Sequence, residues 1–168
     1  QRRFCGFRIP QSMTALYEHR AGYLFVEACV RAHADEAVRC GADLRTGESI
    51  VGWRRDGKRF VVETTCGTVS AERLVIAGGA WNRDLLADLG LHLTVRRSVQ
   101  YWYRAESPVY AAAKGCPAYL FETPDGLYYG FPQLDESGVK VARHAGGEEV
   151  ADPLELNRQL DPLDRQRV

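Results

Sequence analysis

The sequence of 168 residues lacks an excess of charge of either sign: 22 lysines and arginines are balanced by 22 aspartates and glutamates. A chain so balanced has no electrostatic footprint for nucleic acid or for an anionic membrane surface, and neither is expected as a partner. No uncharged apolar run approaches the roughly 20 residues that a spanning helix needs, and no amino-terminal apolar h-region of a signal peptide is visible. Metal-ligand patterning is missing too. Cys5, Cys29, Cys40, Cys66 and Cys116 contain no C-x-x-C pair, and His19, His33, His92 and His144 do not stand at zinc-site spacings beside them. Free thiols in a reducing compartment, the cytoplasm, are the expectation. There is no nucleophile elbow, no phosphate-binding P-loop, no H-E-x-x-H helix and no G-x-G-x-x-G. Methionine occurs once, at Met13; the chain opens Gln1-Arg2-Arg3 and stops at Arg165-Gln166-Arg167-Val168. We read it as a piece of a longer protein, with a processed mature chain as the alternative.

What is present is the composition of a globular protein, with 45% apolar and 26% charged residues and enough length to bury a core. A short candidate strand runs from Gly22 to Val26. A helix follows from about Glu27 to Cys40, because Val30, Ala34, Ala37 and Val38 share one helical face and Gly41 stands where a left-handed residue ends a helix. Three short strands come next. Ile50 to Arg54 turns at Asp56-Gly57, Arg59 to Thr65 ends at Cys66-Gly67, and Thr68 to Ala71 completes an antiparallel meander. Arg73 to Ala77 is a continuous apolar run of the kind expected for a buried strand. A short helix over Asp84–Leu89, with Asn82 as N-cap, stops at Gly90. Beyond it, Thr94 to Ala105 reads as a long strand. Tyr119 to Thr123, the Pro124-Asp125-Gly126 turn, Leu127 to Gln133 and Gly138 to His144 form an antiparallel set. The tail from Asp152 is a loop and a helix start. This order predicts an α+β architecture in two lobes.

Three constellations carry chemistry. In Leu74 to Asn82 an apolar run meets Gly78-Gly79 before a helix. Missing Cβ atoms there would let a dinucleotide approach the backbone, although a tight turn that needs glycine for geometry alone has the same spacing. On the strand ending at His144, alternation puts Lys140, Ala142 and His144 on one face and Val139, Val141 and Arg143 on the other. Lys140 and His144 are then about 13 Å apart and could line one cavity the size of a ring system. A solvated sheet face fits that pattern as well. Finally, Tyr101, Trp102, Tyr103, Tyr119, Phe121, Tyr128, Tyr129 and Phe131 supply an aromatic density that suits either a small-molecule pocket or ordinary strands.

From about Phe4 to Pro153 the chain resembles the middle of the monomeric sarcosine oxidase and N-methyltryptophan oxidase family, flavoproteins related to D-amino-acid oxidase. The segments that carry the resemblance are Gly22-Tyr23-Leu24-Phe25 with the helix after it, Ala77-Gly78-Gly79-Ala80-Trp81-Asn82, Gly126-Leu127-Tyr128-Tyr129-Gly130-Phe131-Pro132 and Gly138-Val139-Lys140-Val141-Ala142-Arg143-His144. The resemblance implies part of a Rossmann-type FAD-binding lobe (a helix plus the meander, residues 25–90). It implies substrate-lobe segments at 1–24 and 91–155, the latter carrying a mixed, mainly antiparallel sheet, and a truncated helix start or tail at 156–168. It implies FAD as cofactor and a small amine or amino acid as substrate, with O₂ reduced to H₂O₂. Lys140 matches the lysine that promotes the reaction with O₂, and a fixed cation suits the negative charge of developing superoxide. His144 and Tyr129 match residues lining the amine pocket. Gly78, Gly79 and Trp81 match the segment running close to FAD, and Ile50 matches a position at the adenine end. The amino-terminal glycine-rich βαβ unit, the basic residues that clamp a substrate carboxylate and the cysteine that often carries the flavin are all missing from this stretch. The isolated piece is therefore expected to be inactive, with FAD binding weak or lost and with dimerisation through surface exposed by truncation. A flavin dehydrogenase with another electron acceptor and a non-catalytic ligand-binding module are the alternative readings.

Overall fold

The computed structural model describes residues 3–166. The chain divides into two compact units. One comprises residues 1–24, 96–150 and 156–168, and the other comprises residues 25–95 and 151–155. No helix among the described residues is long and apolar enough to cross a membrane.

The second unit opens with α1 (Val26–Arg39). It closes as the sequence predicts: Gly41 N–H donates to Val38 O and Ala42 N–H to Ala37 O, both at 2.9 Å, the paired bonds of a Schellman motif. Its expected apolar stripe is uncovered in this unit, with Val30 63% and Val38 50% exposed. β1 (Ile50–Asp56), β2 (Arg59–Thr64) and β3 (Gly67–Ala71) form the antiparallel meander in the order β1-β2-β3. Val61 is buried within it. Trp53 packs obliquely on Phe60, and its indole N–H donates to Leu85 O at 2.7 Å, tying the sheet to the following helix, α2 (Asn82–Leu85).

Four expectations fail in instructive ways. The 73–77 run forms no strand, and Val75 is 88% exposed. An apolar run specifies burial, but a strand also needs a neighbour's backbone, and none of the described strands pairs with it. Gly22 to Val26 is likewise unpaired and passes directly into α1. The long strand from Thr94 shrinks to β4 (Gln100–Tyr103), with an isolated bridge at Arg96–Glu149. Asn82 is not an N-cap but the first helical residue, and its Oδ1 reaches back to accept the Gly78 N–H at 2.8 Å.

The first unit is built around a four-stranded antiparallel sheet, with β5 (Tyr119–Thr123), β6 (Gly126–Phe131) and β7 (Val139–Arg143) added to β4 in the order β4-β7-β6-β5. Pro124 and Asp125 form the β5–β6 turn, since Thr123 pairs with Gly126. One face is covered by the amino-terminal segment: Phe7 meets Tyr119 edge-on at 5.2 Å and Phe121 at 6.1 Å. A last short helix, α3 (Pro162–Gln166), carries the buried Asp164.

Candidate functional site

Register decides what shares a face. Lys140 pairs with Trp102 on one side and Phe131 on the other, while Ala142 pairs with Gln100 and Tyr129. Alternation therefore puts Gln100, Trp102, Tyr129, Phe131, Lys140 and Ala142 on the face opposite Phe7. The Lys140 ammonium lies 4.9 Å from the Phe131 ring centre and 5.5 Å from those of Tyr129 and Trp102. Each such contact contributes about 0.5–1 kcal/mol at an exposed site, and together they hold a flexible side chain in one place. His144 stands past the end of β7, where its N–H donates to Leu127 O at 2.7 Å, and its ring meets Tyr129 edge-on at 5.8 Å. The Tyr129 ring thus bridges the two residues that lie too far apart to touch. Gln100 Nε2 reaches Tyr129 Oη at 3.5 Å. Lys140, Tyr129 and His144 are brought together; Trp102 and Phe131 join them. The sequence showed these two as aromatic residues of unassigned purpose, because their place beside Lys140 depends on strand pairing.

The opposite face fixes the backbone under this group. Tyr119 Oη donates to Lys140 O at 3.1 Å. Burial, with a smaller contribution from the Cys116 thiol, pushes the Tyr119 phenol up to about 12. Its unfolded counterpart ionises near 10. The contribution to stability is therefore complete below about pH 10 and is lost as pH rises from there through about 12. Tyrosinate absorbance should show phenols that ionise late, and Tyr119→Phe should remove the phase centred at about 12.

The other four candidate residues lie in the second unit. Ile50 is half-exposed at the start of β1, where the pairing with β2 is irregular between Ile50 and Gly52. Gly78, Gly79 and Trp81 make the turn into α2. Gly79 has φ +57°, which favours glycine, and a Cβ at Gly78 would sit 2.9 Å from Asn82 Oδ1 and Leu85 Cδ1, so a side chain there would displace both side-chain ends. The Gly78 N–H is already taken by Asn82, and α2 has only four residues, so that N–H is not free to meet a phosphate. Trp81 is 49% exposed beside it.

Taken as a receptor, the sheet face is an apolar platform carrying one held ammonium, with the Trp102 indole half-exposed at its side. It fits a planar, electron-accepting ring system. The glycine turn leaves space over Gly79 for close passage of a chain or ligand, with the Gly78 N–H already paired.

The monomeric sarcosine oxidase of Arthrobacter sp. (strain TE1826) is 31% identical over 161 residues, covering 95% of this chain and 41% of that protein. The monomeric sarcosine oxidase of Streptomyces avermitilis is 39% identical over 166 residues, 95% of this chain and 42% of that one. An N-methyl-L-tryptophan oxidase of Escherichia coli is 30% identical over 144 residues, 85% and 38% respectively. The chain thus spans about two fifths of the length of the curated relatives it matches. Among solved structures, the open form of NikD, an unusual amino acid oxidase essential for nikkomycin biosynthesis, superposes with a TM-score of 0.65 at 26% identity, covering 85% of this chain and 38% of that one. The family model described as DAO, FAD dependent oxidoreductase, matches residues 3–165, and with nearly every described residue inside that match the chain belongs to this family.

Proposed function

We propose that this chain supplies the amine-handling sheet, and part of the cofactor-side unit, of an FAD-dependent amine oxidase that acts on an N-methyl or other small amino acid. The observation that carries the reading is the Lys140 ammonium held over Phe131, Tyr129 and Trp102, on the face where His144 also meets Tyr129. Bound FAD would supply the two-electron oxidation of the C–N bond. Tyr129 and His144 wall the space for the amine and orient it, and the aromatic surroundings exclude water from the reacting carbon. Lys140 offers a fixed positive charge where electrons reach O₂ on the way to H₂O₂, so it stabilises negative charge as that charge develops. Ile50, Gly78, Gly79 and Trp81 line the passage of FAD on the second unit, a role supported by the exposed edge at Ile50 and the open space over Gly79. A cytoplasmic location is part of this reading, resting on the odd number of cysteines and the lack of a C-x-x-C pair.

The test is Lys140→Met in the intact protein, followed by stopped-flow absorbance. Reoxidation of the reduced flavin by O₂ should slow by about tenfold or more, while reduction by the amine changes by less than about twofold. Equal slowing of both half-reactions would remove Lys140 from the oxygen step. Sluggish reoxidation of the unaltered protein in air would instead favour a dehydrogenase with another acceptor, and an intact protein that takes up no FAD would overturn the reading altogether.

A further inference from the structure

A cavity of about 200 Å³ in the first unit lies outside the candidate site, and two of its walls are thiols: Cys5 and Cys116 both line it, together with Arg3 and Lys114. We propose that Cys5 and Cys116 form a peroxide-reactive dithiol that closes to an intramolecular disulfide.

The two cysteines have complementary surroundings. Cys5 is exposed and open to a small oxidant. Cys116 is 9% exposed, and its thiol points to Pro117 O at 3.8 Å. Burial, and in smaller part the neighbouring Cys5, pushes the Cys116 thiol up, which makes it the poorer first nucleophile. The chain around both is pinned. Tyr110 Oη donates to Gly6 O at 3.1 Å, and a Cβ at Gly6 would come within 2.8 Å of the Tyr110 ring, so the residue beside Cys5 lies flat against the 108–116 segment. Cys116 N–H donates to Ala111 O at 3.3 Å within that same segment. Arg3 is itself held over the Tyr17 ring at 4.2 Å. With Lys114 it brings positive charge to the cavity wall, where negative charge develops as peroxide is cleaved.

The chemistry balances with hydrogen peroxide as the oxidant. The Cys5 sulfur attacks one peroxide oxygen, the O–O bond breaks, and the products are a Cys5 sulfenic acid and one water. The Cys116 sulfur then displaces the sulfenic oxygen, forming the S–S bond and releasing the second water. The two sulfurs each lose one electron, and the peroxide gains both. Because the oxidant is added from outside, the inference does not depend on whether the protein makes peroxide itself.

The experiment treats the intact folded protein with hydrogen peroxide, alkylates the remaining thiols and maps peptides without reduction. The expected product is a linked pair of peptides containing Cys5 and Cys116, lost on reduction, with Cys29, Cys40 and Cys66 still alkylated. Cys116→Ser should leave Cys5 as a sulfenic acid that dimedone traps, and Cys5→Ser should abolish the link and leave Cys116 a thiol. Peroxide should also raise the unfolding temperature of the unaltered protein and of neither variant. A Cys5 sulfinic acid beside an unmodified Cys116, or a link from Cys5 to any other cysteine, would overturn the proposal.

Discussion

Gly130→Ala is expected to cost more stability than any other single methyl group added to the sheet of the first unit. A Cβ at Gly130 would be driven into the Lys140 carbonyl oxygen and the Tyr119 ring together. Neither can retreat, because the carbonyl belongs to the neighbouring strand and Tyr119 is packed against Phe7 and Phe121. Overpacking of this kind costs roughly 1–3 kcal/mol even where neighbours give way. With backbone on one side and a pinned ring on the other we expect the upper end or beyond. The hydrogen bond from Tyr119 to Lys140 would be lost with it. Gly52→Ala is the control. It is also a strand glycine, but a Cβ there meets nothing within 4 Å, so alanine should be neutral or slightly stabilising, by up to about 1 kcal/mol. Urea unfolding of the two variants checks the contrast. Equal midpoints would mean that the sheet flexes far more readily than its packing indicates.

Arg97→Met should be comparably severe. Arg97 Nη1 and Asp164 Oδ2 are 2.6 Å apart, and the two side chains are only 12% and 6% exposed. The same guanidinium donates from Nε to Asn157 O at 2.9 Å and from Nη2 to Gln159 O at 3.3 Å, so one side chain ties the 157–164 segment down at three points. Removing one partner strands a carboxylate away from water, which costs about 3–5 kcal/mol. The double change Arg97→Met with Asp164→Leu removes both charges and should recover much of that loss, since a buried pair is weakly stabilising relative to apolar residues of similar size. If the single and double variants unfold at the same urea concentration, the stranded charge is not the cause. Beside this pair, Tyr101 Oη is buried without a hydrogen-bond partner among the described residues, and burial, followed by the Asp164 charge, pushes its phenol up. Tyr101→Phe should therefore be tolerated far better than Arg97→Met, as the matching unfolding curve would show.

The parts of the fold that the sequence made legible are those with local causes. The helix end at Gly41 is encoded by one residue and two backbone bonds. The meander and the β5–β6 hairpin are encoded by alternation and by their turns. Alternation also placed Lys140 and His144 on one side of their strand before any pairing was known. What escaped depends on partners distant in sequence. The 73–77 run reads as a strand from its side chains, yet pairing is a property of two segments. Asn82 has the composition of a cap, but its amide found the Gly78 N–H from inside the helix. Trp102 and Phe131 lie beside Lys140 only because β7 sits between β4 and β6. The Cys5–Cys116 cavity joins residues that no spacing rule relates.

The interleaved order of the two units has a kinetic consequence. The meander of the second unit is made of hairpins whose partners leave the ribosome one after another, so it can form as soon as it is synthesised. The sheet unit has to join its first residues to a segment 104 positions later, as in the bond between Gly6 and Tyr110. Closing so long a loop is slow. Nascent chains should therefore pass through a stage in which the inserted unit is folded while the segments before and after it in sequence are still searching for each other.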